Sequence, residues 1–175
     1  MTRHPPPQAA KLRLAGQVFD KCGASVMSSA GFRAWFAANA PWLRPYAAFL
    51  VLKDVMGTAE HWRWGALAAP TAADLNRLTS AGSSHYASVA MTFFLQYMLH
   101  LQLRDASAHA ESLRVALKGD LPIGVNRVSV DVWTQPDQFR QHVTLGAPPD
   151  YFNSDGQNWG FPGYNWDHMH REGYR

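Results

Sequence analysis

SSHYASVAMTFFLQYMLHLQLRDASAHAESLRVALKGDLPIG, Ser83 to Gly124, is the stretch on which the fold class turns. Within it Ala87, Ala90, Met91, Phe94, Tyr97, Met98 and Leu101 recur at three- and four-residue spacing. That period predicts an amphipathic helix running to about Ala110 with this stripe in the core. Ser83 and Ser84 stand where a hydroxyl can cap its first turn. The next segment, Leu113-Arg-Val-Ala-Leu117, is short, apolar and partly β-branched, and it runs into Lys118-Gly-Asp-Leu-Pro-Ile-Gly124. Such a segment, ended by glycine and proline, predicts a strand. A long helix leading into a buried strand is a βα unit, so the expected class is α/β.

Upstream, the pattern is helical with breaks. Gly31 to Ala38 reads as a short aromatic helix, Pro41 as its end, and Leu43, Tyr46, Ala47 and Leu50 as the buried face of a second helix reaching about Met56. Thr71-Ala-Ala-Asp74 has the form of a capping box opening a further short helix. Trp62 and Trp64, between these elements, read as core packing. Residues 1–30 lack a sustained period and are expected to form a loosely ordered N-terminal arm with one short helix around Leu12 to Phe19, leaving 31–175 as the structured domain. Downstream of Thr134, Gly146, Pro148, Pro149, Gly156, Gly160, Pro162 and Gly163 erase both periods, which predicts a long C-terminal loop. Disordered chains are poor in aromatic residues, whereas this segment is rich in them, so an ordered binding loop is expected.

Composition excludes several classes. The 16 Lys and Arg against 13 Asp and Glu give a net charge of +3, scattered as single residues, so no nucleic-acid footprint exists. A single cysteine, Cys22, excludes an internal disulfide and a multi-thiolate metal site. No apolar run approaches the ~20 residues of a membrane helix, and a soluble, cytoplasmic protein without membrane contact is expected. His109-Ala-Glu111 lacks the cysteine pair of a zinc deaminase, His168-x-His170 lacks a third ligand, and neither a phosphate-binding glycine loop nor a serine-hydrolase elbow occurs. No metal and no cofactor are therefore implied.

What remains are KGDLPIGVNRVSVDVW at 118–133 and GAPPDYFNSDGQNWGFPGYNW at 146–166. Together with Trp42-Leu-Arg-Pro-Tyr46, Trp62-Arg-Trp64-Gly65 and Phe94-Leu-Gln-Tyr97, they resemble the amylomaltase family of 4-α-glucanotransferases, most closely its cytosolic plant and algal disproportionating branch. The resemblance spans roughly residues 31–175. It implies α/β architecture in the form of a partial (β/α)8 barrel, mostly helical here, with sugar held at the C-terminal ends of the strands. It also implies transfer of α-1,4-glucan segments or glucose between maltose or malto-oligosaccharides and an α-glucan or heteroglycan acceptor. Asp131, in Ser129-Val-Asp-Val-Trp133, matches the family's donor-site Asp. Asp150, Tyr151, Gln157, Asn158 and Trp159 match its acceptor loop, where rings stack on pyranose faces and polar groups meet hydroxyls.

Retaining transfer needs a carboxylate nucleophile and a carboxyl acid/base. In the family the nucleophilic Asp lies in an Arg-x-Asp-His segment and the acid/base Glu further on; neither occurs up to Arg175, so no catalytic residue is expected in this chain, which is expected to be a fragment inactive by itself. Asn126 and Val128 depart from the usual Asp and polar residue. A glucan hydrolase of the same clan and a non-catalytic glucan-binding module are the alternatives.

Overall fold

The structure, a computed structural model, describes residues 7–174; the first six residues of the expected arm lie outside the described residues. In chain order, the elements are α1 (Pro7–Met27), α2 (Ala30–Val55), α3 (Ala72–Leu78), α4 (Tyr86–Ser112), α5 (Val130–Thr134), β1 (Phe139–Ala147), β2 (Gln157–Tyr164) and α6 (Trp166–Arg171). They fall into two compact units. Among the described residues, one comprises those up to Val51 with Asn76–Lys118, the other Leu52–Leu75 with those from Gly119 onward.

The first unit is helical. Phe32, Leu43, Ala47 and Val51 of α2 form a buried cluster with Val89, Phe93 and Tyr97 of α4. Aromatic geometry fixes the contact: Phe32 meets Tyr97 edge-on at 5.3 Å between ring centroids, and Phe36 meets Phe93 at 4.9 Å. The long helix predicted from Ser83 onward is present, but its buried face is Val89, Ala90, Phe93, Phe94 and Tyr97, and Ala87 is exposed. The cause is visible in the sequence: Leu95, Leu99 and Leu103 also give the helix apolar residues on its other side, so period alone leaves its rotation undetermined. Its N-cap is His85, without a side-chain cap. The Ser83 hydroxyl instead accepts from the His85 N–H at 3.2 Å and shapes the turn before the helix.

Two predicted breaks do not occur. Where only a short helix near Leu12 to Phe19 is expected, α1 continues to Met27, with Phe19 packed against Phe94 at 5.3 Å; tertiary packing sustains a helix that its weak period does not announce. Likewise α2 runs through both Pro41 and Pro45. Each proline removes a helical hydrogen bond at a cost of about 3 kcal/mol. Burial of Phe32, Leu43, Ala47 and Val51 on one face offsets that cost. The Ser29 hydroxyl caps the start of α2, accepting from the Phe32 N–H at 3.1 Å.

The strand predicted at Leu113–Leu117 is absent. The chain leaves α4 through Arg114 in the left-handed region (φ 57°), and the Val115 N–H reaches back to the Ala110 carbonyl at 2.9 Å, a Schellman-type ending. Leu113, Val115, Leu117, Leu121 and Ile123 are all exposed. A strand needs a neighbour to take its backbone groups, and among the described residues the only sheet is β1 with β2.

That sheet corrects the second expectation, because the predicted C-terminal loop is a hairpin. β1 and β2 pair antiparallel, with Phe139 opposite Tyr164 at the base and Gly146 and Ala147 opposite Asn158 and Gln157 near the tip. The register shifts between Arg140 and Thr144. There the Arg127 guanidinium donates to the carbonyls of Gln141 and Val143 and satisfies groups the ladder leaves over. In the same unit Trp133 is buried; its indole N–H donates to the Leu67 carbonyl at 2.8 Å and its ring meets Trp64 at 5.4 Å. Trp64 is core as expected, whereas Trp62 is 46% exposed and is not. The capping box is as predicted: the Asp74 N–H donates to the Thr71 hydroxyl at 3.1 Å and the Thr71 N–H to the Asp74 carboxylate at 3.0 Å. No described helix is long and apolar enough to cross a membrane.

Candidate functional site

The hairpin connection, residues 148–156, is built by one carboxylate. Oδ1 of Asp150 accepts from the N–H groups of Phe152 and Asn153, both at 2.8 Å, and the Asp150 N–H donates to the Asn153 carbonyl at 2.9 Å. This closed Asx turn has a side effect. The two residues inside it, Tyr151 and Phe152, are thrust outward, 95% and 93% exposed, their rings edge-on to each other at 5.3 Å. Two large rings held in water are unusual, since each exposes surface that burial would favour by about 25 cal/mol per Å².

Gln157, Asn158 and Trp159 follow at the start of β2. Alternation places Gln157 and Trp159 on one face, where the indole N–H donates to Gln157 Oε1 at 2.9 Å. Asn158 faces the other way; its Oδ1 accepts from the Gly160 N–H at 2.9 Å. The amide nitrogens of Gln157 and Asn158 keep donors available to a ligand.

Asp131 lies elsewhere. Ser129 caps α5, its hydroxyl accepting from the Val132 N–H at 3.3 Å, which sets Asp131 in the first turn with its carboxylate exposed. It lines a cleft of about 280 Å³ at the hairpin base with Phe139, Trp166, Met169 and Tyr174. Strand β1 separates the two places by roughly 25 Å, at about 3.3 Å per residue. The structure thus brings Asp150, Tyr151, Gln157, Asn158 and Trp159 together at the hairpin end and leaves Asp131 at the opposite end.

Two residues escape sequence reasoning. Gln138 lines the Asp131 cleft, and its Oε1 is buried without a hydrogen-bond partner. The aromatic row Phe139, Tyr164 and Trp166, at 5.7 and 5.1 Å spacing, borders the same base. His61 is buried against Trp62, at 5.2 Å, and neither ring nitrogen has an aligned hydrogen-bond partner. Burial lowers its pKa, while the nearby Arg127 backbone acts in the opposite sense and more weakly. Nothing in His61-Trp-Arg-Trp64 distinguishes a buried imidazole from a surface one, and nothing in Gln135-Pro-Asp-Gln138 signals an orphan amide. Among the described residues, no group of three or more His, Cys, Asp or Glu is placed to hold a metal ion.

A family model described as 4-alpha-glucanotransferase matches residues 6–175. The chain is 43% identical over 166 residues to the 4-alpha-glucanotransferase DPE2 of Oryza sativa subsp. japonica, covering 95% of this chain and 18% of that protein. It is 36% identical over 149 residues to the 4-alpha-glucanotransferase of Thermus thermophilus, covering 82% of this chain and 29% of that one. In three dimensions it is similar to amylomaltase from Streptococcus agalactiae, solved in complex with acarbose, with a TM-score of 0.69 at 26% identity, over 81% of this chain and 29% of that chain. The chain thus spans less than a third of the length of these relatives.

Proposed function

The chain belongs to the 4-alpha-glucanotransferase family, and from that premise we propose that it carries the glucan-binding elements of an enzyme that moves α-1,4-glucan segments between malto-oligosaccharides and glucan acceptors. The exposed rings of Tyr151, on the Asp150 turn, and of Trp159, hydrogen-bonded to Gln157, carry this reading. A pyranose offers an apolar C–H face to such rings and equatorial hydroxyls to the amides of Gln157 and Asn158. A glucan lying on the hairpin displaces water from the acceptor position, so a glycosyl-enzyme intermediate meets a sugar hydroxyl before it meets water. The base cleft, with the exposed Asp131 carboxylate as an acceptor beside Phe139 and Trp166, takes the donor sugar.

The nucleophile and the acid/base carboxyl belong, in this reading, to the part of the relatives that this chain does not span. The same holds for architecture. In this reading the apolar segment Leu113–Leu117, exposed here, is covered by neighbouring strands of a (β/α)8 barrel.

Titration of maltoheptaose into the chain, followed by tryptophan fluorescence and by the Trp159 indole resonance, tests the proposal. Saturable binding is expected, weakened about tenfold by Trp159→Ala and by Tyr151→Ala, the scale of one aromatic contact. Equal affinity in both variants would remove the hairpin from the sugar site.

A further inference from the structure

A second concave site lies wholly within the helical unit. Side chains of α2, α3, α4 and the turn after α3 line an open pocket of about 410 Å³, within the range of small-molecule sites. Its apolar wall is Phe32, Phe36 and Phe93, with Met27 at the edge. Its polar end is Arg44. The guanidinium donates from Nη1 to the Thr79 hydroxyl at 3.0 Å and lies 5.2 Å from the centroid of the Phe36 ring. Thr79 itself is buried.

Arg44 is half-buried, has five N–H donors in a planar fork, and meets no carboxylate among the described residues. A partly desolvated cation against an aromatic wall gains from an anion far more than a solvated one does. The other polar lining groups fit the same occupant. Asn76, exposed at the rim, offers an amide donor, and Tyr86 completes the wall. No second Lys or Arg lines the pocket, so a single negative charge matches it better than a dianionic phosphate does.

We infer that this pocket binds a small organic monocarboxylate with a flat or short apolar body, its carboxylate on Arg44 and its body against the wall of Phe32, Phe36 and Phe93. None of the hairpin residues takes part, so the site stands or falls independently of the glucan proposal.

The test uses phenylacetate as probe and phenylacetamide as its uncharged counterpart, with NMR titration of the whole chain read at the Arg44 Nε–H and at the Thr79 and Ser80 amides. Phenylacetate is expected to shift these resonances saturably and to bind at least tenfold more tightly than the amide. Arg44→Met abolishes that preference. Asn76→Asp, at an exposed position that does not endanger the fold, weakens phenylacetate severalfold and leaves phenylacetamide unchanged. Absence of saturable shifts, equal affinity for the two probes, or a preference that survives Arg44→Met would each overturn the inference.

Discussion

Asp150 shows how much one side chain decides at this site, because a single carboxylate oxygen holds the two amides that set Tyr151 and Phe152 outward. Asp150→Ala leaves both N–H groups to water, and being exposed, it costs only about 1 kcal/mol. The melting temperature is therefore expected to change little, while amide exchange at Phe152 and Asn153 accelerates about fivefold or more. Unaltered exchange would show that the turn holds without its carboxylate. The residues of this turn were accessible in the sequence because their types are unusual together: two prolines, an acid, two rings and a glycine within ten positions. Gln138 and His61 were not, since their distinction is burial, which depends on what the rest of the chain lays over them. Val89 and Phe93 illustrate the same limit in the core, where an apolar helix offers more than one face and only the partner helix selects it.

Among the elements, the hairpin was the hardest to foresee and is the easiest to challenge. Alternation marks a strand only when one face is buried and the other wet, whereas β1 is exposed along most of its length on both faces and β2 is interrupted by glycine and proline. Gly146 carries the closest approach. A Cβ there would lie 1.9 Å from the Gln157 carbonyl oxygen, a backbone atom that cannot swing aside. Gly146→Ala is therefore expected to separate the strands near the tip, costing roughly 2–3 kcal/mol locally, in the range of overpacked positions. The readout is loss of the cross-strand contact between residue 146 and Asn158, accompanied by a severalfold drop in maltoheptaose affinity; a preserved contact would mean that the register differs. Helix α2 gives the converse lesson. Pro41 was a sound local reason to end a helix, and the burial of Leu43 and Ala47 just beyond it outweighed that reason.

At the scale of the molecule, α/β class was inferred from a helix running into an apolar segment, but a strand is a property of a sheet, and the described chain is mainly helical with one small hairpin. Stability against pH is also a whole-molecule quantity, and His61 ties it to one ring. The imidazole is buried, lies edge-on to Trp62 at 5.2 Å and to Trp64 at 6.4 Å, and has no aligned partner for either nitrogen. Of the charges nearby, Glu60 is engaged by Arg63 at 2.9 Å, and the Arg127 guanidinium is spent on β1 carbonyls. Burial accordingly holds the folded pKa of His61 below its ordinary value of 6.5. Above that value the ring is neutral in both states and folding gains or loses nothing from it. As pH falls through 6.5, the unfolded chain takes up a proton that the folded chain refuses, so stability declines with acidification until the lowered folded value is passed. Urea midpoints at pH 7.5 and pH 5.5 should therefore differ, the chain being weaker at the lower pH. His61→Phe, which keeps a ring against Trp62 and Trp64 and cannot titrate, should shrink that difference. An equally steep dependence in the variant would place the proton uptake on another group.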